Sequence, residues 1–189
     1  MKLPKQLWIM ILLLLTFSHF ATAQISVTRQ KVTKDISMEV PESFIPMSQS
    51  ELIGKYVSSR TPIAMYTSED RNIDLGINET SSAWAGDDLP ILQAFYKANI
   101  ANLFTEVEFL QEEIREIGGR PFIVFEFISK ITDEGSTFGG NSSISKYTYI
   151  QYTLRNNKVL LFNFTCPLRA RPQWQETAQR MMESVRIKS

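Results

Sequence analysis

Histidine is almost missing from this chain: the only one among 189 residues is His19. If the first 23 residues are removed, as argued below, none remains. A chain without histidine cannot run a Ser-His-Asp triad or a Cys-His pair, nor build a histidine-ligated zinc site. Cysteine is as scarce. Cys166 is the only one, so no internal disulfide can form and the fold must rest on its core. It ends the apolar run Val159 to Cys166, where a free thiol reads as a small buried hydrophobe rather than a reactive group. An excess of either charge is also lacking, with 20 Lys and Arg against 20 Asp and Glu. No basic patch emerges from their order, which argues against a nucleic-acid partner.

Long apolar runs are confined to the start. Lys2 and Lys5 precede the apolar stretch Leu7 to Leu15, and Ala21-Thr22-Ala23 forms an A-x-A cleavage site before Gln24, so residues 1–23 read as a secretory signal. The run could extend to Phe20 as an uncleaved anchor, but the uninterrupted part is shorter than the ~20 residues a bilayer span needs. With no cysteine near the cleavage point, lipoprotein-type acylation is excluded too. The expectation is a secreted protein of the bacterial periplasm without a membrane span after processing. Residues 24–189 would form one soluble domain of 166 residues, with 18 basic against 20 acidic side chains. That length buries roughly 70% of its unfolded surface.

The rest of the chain is built around Val107 to Ile131, two apolar-rich segments meeting at Gly118-Gly119. They read as the central β-hairpin of an antiparallel sheet, because both residues of a type I′ turn need positive φ. Ile123, Phe125 and Phe127 fall on one face, and Phe122, Val124 and Ile128 on the other with Glu126 and Lys130. Cover is expected on both faces. Upstream, Ile25 to Asp35 is a tail or weak edge strand, and Ile36 to Val40 alternates as a strand that Pro41 ends. Ser48 and Glu51 have the spacing of a capping box over a helix of one or two turns. Ile63 to Thr67 and Ile73 to Glu79 read as strands flanking the polar turn Ser68 to Asn72. Asp87 or Asp88 caps a helix starting near Leu89 and Pro90, whose stripe is Leu89, Leu92, Tyr96, Ile100 and Leu103.

Downstream, Thr132 to Ser145 reads as a fourteen-residue Gly- and Ser-rich loop with Phe138 its only aromatic. Lys146 to Leu154 and Lys158 to Cys166 form a second hairpin around Arg155-Asn156-Asn157, with Leu160, Phe162 and Phe164 on its core face. Pro167 stops the sheet. A last helix from Pro172 carries Trp174, Ala178, Met181 and Val185 on one stripe and ends near Arg186 and Lys188, whose cations suit a helix C-terminus.

This order resembles the PsbP-like sandwich family, shared by the extrinsic protein of the oxygen-evolving photosystem, the Ran-binding import factor Mog and many small secreted bacterial proteins. The resemblance is carried by Ile36-Ser37-Met38-Glu39-Val40-Pro41, Ile63-Ala64-Met65-Tyr66-Thr67, Leu75-Gly76-Ile77-Asn78, the Gly119 hairpin, Tyr149 to Phe164 and the closing helix. It covers nearly the whole chain after residue 23, through pattern rather than an invariant signature. It implies an α+β fold, an antiparallel sheet with helices on both faces, and partner binding rather than catalysis. No motif of Ran or photosystem binding can be matched here.

Candidate sites are few. Asp87-Asp88 with Asn78 and Glu79 could offer hard oxygen ligands to calcium, but the spacing lacks a dedicated D-x-D-x-D-G loop and favours a helix cap. Glu112-Glu113 and Glu116, with Glu108 expected on the face of Glu112 and Glu116, could pair for acid-base work but read better as a solvated sheet edge. Three glycosylation sequons begin at Asn78, Asn141 and Asn163; the third lies within a strand, and a bacterial signal discounts all three. Trp84, in a loop of small and acidic residues, is either a plug over the end of the sheet or an exposed anchor for a partner. Trp84 and Phe138 are therefore the candidate partner-binding residues. No catalytic residue, metal or cofactor is expected. The function expected is a binding or assembly module for a protein partner, with capture of a small apolar ligand or lipid between helix and sheet as the alternative.

Overall fold

The computed structural model describes residues 25–56, 61–80, 83–84, 88–133 and 142–188. The signal reading of residues 1–23 and the position of Phe138 lie outside them. The elements are β1 (Val27–Lys31), β2 (Ile36–Pro41), β3 (Ile45–Pro46), α1 (Gln49–Lys55), β4 (Ala64–Thr67), β5 (Asp74–Glu79), α2 (Leu89–Leu103), β6 (Glu106–Ile117), β7 (Arg120–Asp133), β8 (Ser142–Arg155), β9 (Lys158–Pro167), a 3₁₀ turn (Leu168–Ala170), α3 (Arg171–Glu183) and β10 (Arg186–Ile187). Among the described residues, no helix is long and apolar enough to cross a membrane.

The strands make two antiparallel sheets, one of seven strands in the order β3-β4-β5-β9-β8-β7-β6 and one of three in the order β1-β2-β10. Two-residue turns join the long strands. Gly118 and Gly119 have φ of 60° and 80°, and Asn156 and Asn157 have 52° and 59°, the left-handed conformations that glycine and asparagine take most readily. Gly118 has a second duty: a Cβ there would fall 2.8 Å from the carbonyl oxygen of Val185, where the C-terminal segment passes over the turn.

The period-two pattern divides the large sheet's side chains between two cores. Phe122 and Val124 of β7, Leu160, Phe162 and Phe164 of β9, and Leu75 and Ile77 of β5 meet Ile36, Met38 and Val40 of β2 and Trp174, Ala178 and Met181 of α3 in the first core. Ile123, Phe125 and Phe127 point the other way, into a second core with Tyr152, Val159, Leu92 and Ile100. Both faces are covered as the sequence implied, but the cover is unequal. One face carries α3 together with the three-stranded sheet, and the other carries α2.

Polar groups that enter the first core are held by α3. Glu126, 2% exposed, accepts hydrogen bonds from the side-chain amides of Gln175 and Gln179. Gln151 donates to the carbonyl of Met182 at 3.0 Å. Such pairing is what burial of a polar group demands.

Several expectations need correction. The Gly118-Gly119 hairpin is not central: β6 is an edge strand, and β8 and β9 occupy the interior of the sheet. The loop expected over Thr132 to Ser145 is shorter, because β7 runs on to Asp133 and β8 begins at Ser142, cross-strand pairing overriding the polar composition at both ends. The closing helix stops at Glu183 rather than near Lys188. Ser184 is caught there by β2, whose Glu39 amide donates to its hydroxyl at 2.7 Å. Val185 is then buried outside the helix, and Arg186–Ile187 pair with β2 as a strand. Leu103 is 69% exposed instead of completing the α2 stripe, since it is the last residue before the chain turns into β6. The segment Ile25 to Asp35, expected as a tail or weak edge strand, does contain an edge strand, β1, over Val27–Lys31.

Trp174 joins α3 to the rest of the first core. It is 7% exposed, with its ring 5.3 Å from that of Phe44 and 5.8 Å from that of Phe164. Trp174→Ala should therefore cost about 3–5 kcal/mol, the range for large-to-small changes in a packed core. Equilibrium denaturation in urea, read as a shift in midpoint at constant slope, checks it.

Candidate binding groove between α1 and α2

Alternation on β5 and β9 places large apolar side chains on the first-core face and small or polar ones opposite. Asp74, Gly76 and Asn78 interleave with Leu75 and Ile77, and Asn163 and Thr165 with Phe162, Phe164 and Cys166. The face bearing Gly76, Asn78 and Asn163 is the α2 side of the sheet, but α2 lies over the β6-β7-β8 half. A groove of about 910 Å³ opens over the uncovered β4-β5-β9 half. Leu52 and Ile53 of α1 and Tyr56 at its C-terminal cap line one side, Trp84, Phe95 and Tyr96 the other, and Met65, Gly76 and Asn163 the floor.

The α1 wall is held by polar contacts. Its capping box is complete, with Ser48 N–H donating to Glu51 and Glu51 N–H to the Ser48 hydroxyl, yet the helix buries no residue. What fixes it is Asp74, a carboxylate with only 5% of its side chain exposed. Asp74 accepts from Tyr56 Oη at 2.6 Å, Thr67 Oγ1 at 2.8 Å and Lys55 Nζ at 2.8 Å. Burial, reinforced by the bond to Asp74, raises the pKa of the Tyr56 phenol and keeps it a donor. Arg71 adds an ion pair to Glu51 at 2.7 Å.

The α2 wall is aromatic. Tyr96 stacks on Tyr152 with centroids 3.9 Å apart, Phe95 sets its edge against Tyr96, and Trp84 packs on Phe95 at 5.8 Å. Trp84 is half-buried, and its N–H donates to the carbonyl of Asn157 at 2.7 Å, tying the segment before α2 to the β8-β9 turn. At the same end Glu79 pairs with Arg155 at 3.0 Å and Lys158 at 3.5 Å. The hydrogen bond from Arg155 is the main reason its carboxyl titrates below the usual range, outweighing its slight burial.

The structure thus puts Trp84 in the wall of a groove, neither sealed beneath the surface nor fully exposed. Phe138 lies outside the described residues, and nothing here brings the two together. Asp88 is the helix cap, accepting from Ile91 N–H at 3.1 Å, and Glu79 is engaged by its two cations. The grouping of Glu108 with Glu112 and Glu116 is overturned by a bulge at Leu110. Glu108 stands opposite Ile128, while Glu112 and Glu116 stand opposite Phe125 and Pro121 on the other face. Glu112 is paired with Lys97 at 2.5 Å.

Sequence reasoning missed most of the groove, including Ile53, Tyr56, Met65, Phe95 and Asn163. The signal was present in part. Ile91 and Phe95 are apolar residues off the α2 stripe, and they are 58% and 48% exposed. The small and polar positions of β5 and β9 mark a face that no helix covers.

A seven-stranded antiparallel sheet, backed on one face by a helix and a small sheet and half-covered on the other by a single helix, defines the class: an α+β sandwich. This is the fold of the PsbP and Mog1 proteins. Solved structures that share it include cyanobacterial PsbP (CyanoP) from Synechocystis, at 13% identity and a TM-score of 0.58 over 90% of this chain and 97% of that one. The Saccharomyces cerevisiae Ran-binding protein Mog1p aligns at 12% identity and a TM-score of 0.55 over 87% and 96%. LpqN of Mycobacterium tuberculosis, described as involved in cell envelope biogenesis, aligns at 12% and 0.55 over 87% and 92%. At these identities the likeness is one of fold. No family model and no curated protein sequence matches the chain.

Two outcomes follow from the groove's surroundings. Asp74→Ala strips Tyr56, Thr67 and Lys55 of a shared acceptor and should cost about 2–3 kcal/mol, as for buried hydrogen bonds to a charged group. Hydrogen exchange should show α1 losing protection while β7, β8 and β9 keep theirs. The Cys166 thiol, buried beside the first core, has its pKa pushed up to about 12 by that burial. A thiol reagent at pH 8 should leave the folded protein unlabelled and modify it fully in denaturant.

Proposed function

We propose that this protein is a secreted, non-catalytic binding module, processed after Ala23 into a single domain of the cell envelope, which works by contact with a protein partner through α1, Trp84 and α2. The observation that carries this reading is an open groove with exposed apolar side chains on both walls, Ile53 on α1 at 72% exposure and Phe95 on α2 at 48%, with the half-buried Trp84 packed on Phe95. Grooves rimmed by exposed apolar groups are common interaction sites, and aromatic residues are enriched among the anchors of interfaces. The absence of histidine after residue 19 supports a role without histidine-dependent acid-base or nucleophilic chemistry. So does the company the fold keeps, which includes a protein named for binding Ran and one described by its part in envelope biogenesis.

Affinity capture from the native envelope tests it. Trp84→Ala should cut recovery of the partner sharply while losing only about 1–2 kcal/mol of stability, since the side chain is half-buried. Recovery of no partner, or equal recovery with both forms, defeats the proposal. A second reading, capture of a small apolar ligand, is favoured by the apolar walls Leu52, Met65 and Val159 of the same groove. Mass spectrometry of solvent extracts from the purified protein decides it: a stoichiometric apolar compound supports it, and an empty protein removes it.

A further inference from the structure

The groove's chemistry narrows what enters it. Its charged lining residues are already satisfied: Asp74 by Lys55, and Glu79 by Arg155 and Lys158. Among the described residues it therefore offers no free charge, and those residues would penalise an occupant that brought one. Its rims are apolar, with Ile53 on one side and Phe95 on the other. Its floor carries amides. Asn163 Oδ1 is shielded from solvent and has no hydrogen-bond partner among the described residues, and among them no hydrogen bond engages the side chain of Asn78, which also lines the groove. Between them Gly76, cross-strand partner of Asn163, contributes no side chain, a feature that in strands marks close approach of another backbone. The sulfur of Met65 lies where a Gly76 Cβ would fall, 2.6 Å from that position, and methionine is a flexible gap-filler that can repack.

We infer that the groove takes an extended, uncharged peptide segment of the partner, carrying an apolar anchor side chain. Asparagine amides present a donor and an acceptor side by side, the complement of a peptide backbone N–H and C=O. The anchor sits between Ile53 and Phe95, and the backbone crosses above Gly76 as Met65 moves aside. A volume of about 910 Å³ lies at the top of the range for small-molecule pockets, ~300–1,000 Å³, which suits several residues of chain. An acyl chain fits less well, because it would cover the amide groups that still face the groove, that of Asn78 above all, without pairing them. The inference rests on the protein-binding reading above and specifies its occupant.

The test is an array of N-acetylated, C-amidated octapeptides, uncharged and centred on Phe, Leu or Ile, with matched sets centred on Asp or Lys, and palmitate as the lipid probe. Uncharged apolar-centred peptides should bind the purified protein, and charge-centred ones at least tenfold more weakly. Ile53→Asp, at a position open enough to leave Tm unchanged, and Asn163→Leu should each lower affinity at least tenfold. Ile131→Asp, at an exposed site outside the groove, should leave it unaltered. A silent array, affinity indifferent to Ile53→Asp and Asn163→Leu, or saturation by palmitate without peptide binding overturns the inference. If a captured partner is retained equally by wild type and Ile53→Asp, the groove inference falls and the binding-module reading stands. If neither a partner nor a peptide binds, both fall.

Discussion

Strands β7, β8 and β9 lie in the interior of the large sheet with both faces buried, and most of the remaining chain answers that requirement. Their backbone groups are paired laterally along uninterrupted antiparallel registers. Side chains that alternate between two apolar faces then need cover on each, because removing apolar surface from water is the main favourable term available. With Cys166 free and buried, no disulfide supplements it. The first face receives α3 and the three-stranded sheet, joined through Trp174 and through β10, whose pairing with β2 brings the chain's end back over the Gly118 turn.

The second face receives less, and geometry explains the consequence. A helix with its side chains is about 10–12 Å across, whereas strands are spaced about 4.8 Å apart, so one helix spans only two or three of seven strands. α2 sits over the half where Phe109, Phe125 and Tyr152 rise to meet it. On the β4-β5-β9 half the strands carry glycine, asparagine and aspartate, which tolerate water. The uncovered half is therefore a groove rather than an unstable exposed core, and α1 closes its far side through the Asp74 carboxylate instead of through burial.

This division separates the packing that holds the fold from the groove. The first core concentrates the aromatic and aliphatic packing that holds the fold, including Phe44, Phe162, Phe164 and Trp174. One wall of the groove, α1, buries no residue of its own, and exposed side chains such as Ile53 there can change with small cost to folding. Chains with 12–13% identity that share this fold differ in nearly every side chain. A scaffold whose core tolerates such replacement, provided apolar pattern and volume are kept, leaves its uncovered half free to vary.

The sequence by itself determined the strands and their faces. Alternation in Ile123 to Phe127 and Leu160 to Phe164, the positive-φ turns at Gly118-Gly119 and Asn156-Asn157, the capping box at Ser48 and the cap at Asp88 are local signals, each readable within a few residues. The α+β class was implied by the family resemblance that their order carries. Tertiary structure alone decided which strand stands at an edge, because hairpins specify neighbours and not the order of hairpins in a sheet. It also decided that the chain leaves α3 at Ser184 to pair with β2, and that the bulge at Leu110 turns Glu108 away from Glu112. The groove belongs to the same category. Ile53, Phe95, Trp84 and Asn163 are separated by up to 110 positions in the chain, and no period or spacing links them. They meet because one helix is too narrow to cover the sheet on which it lies.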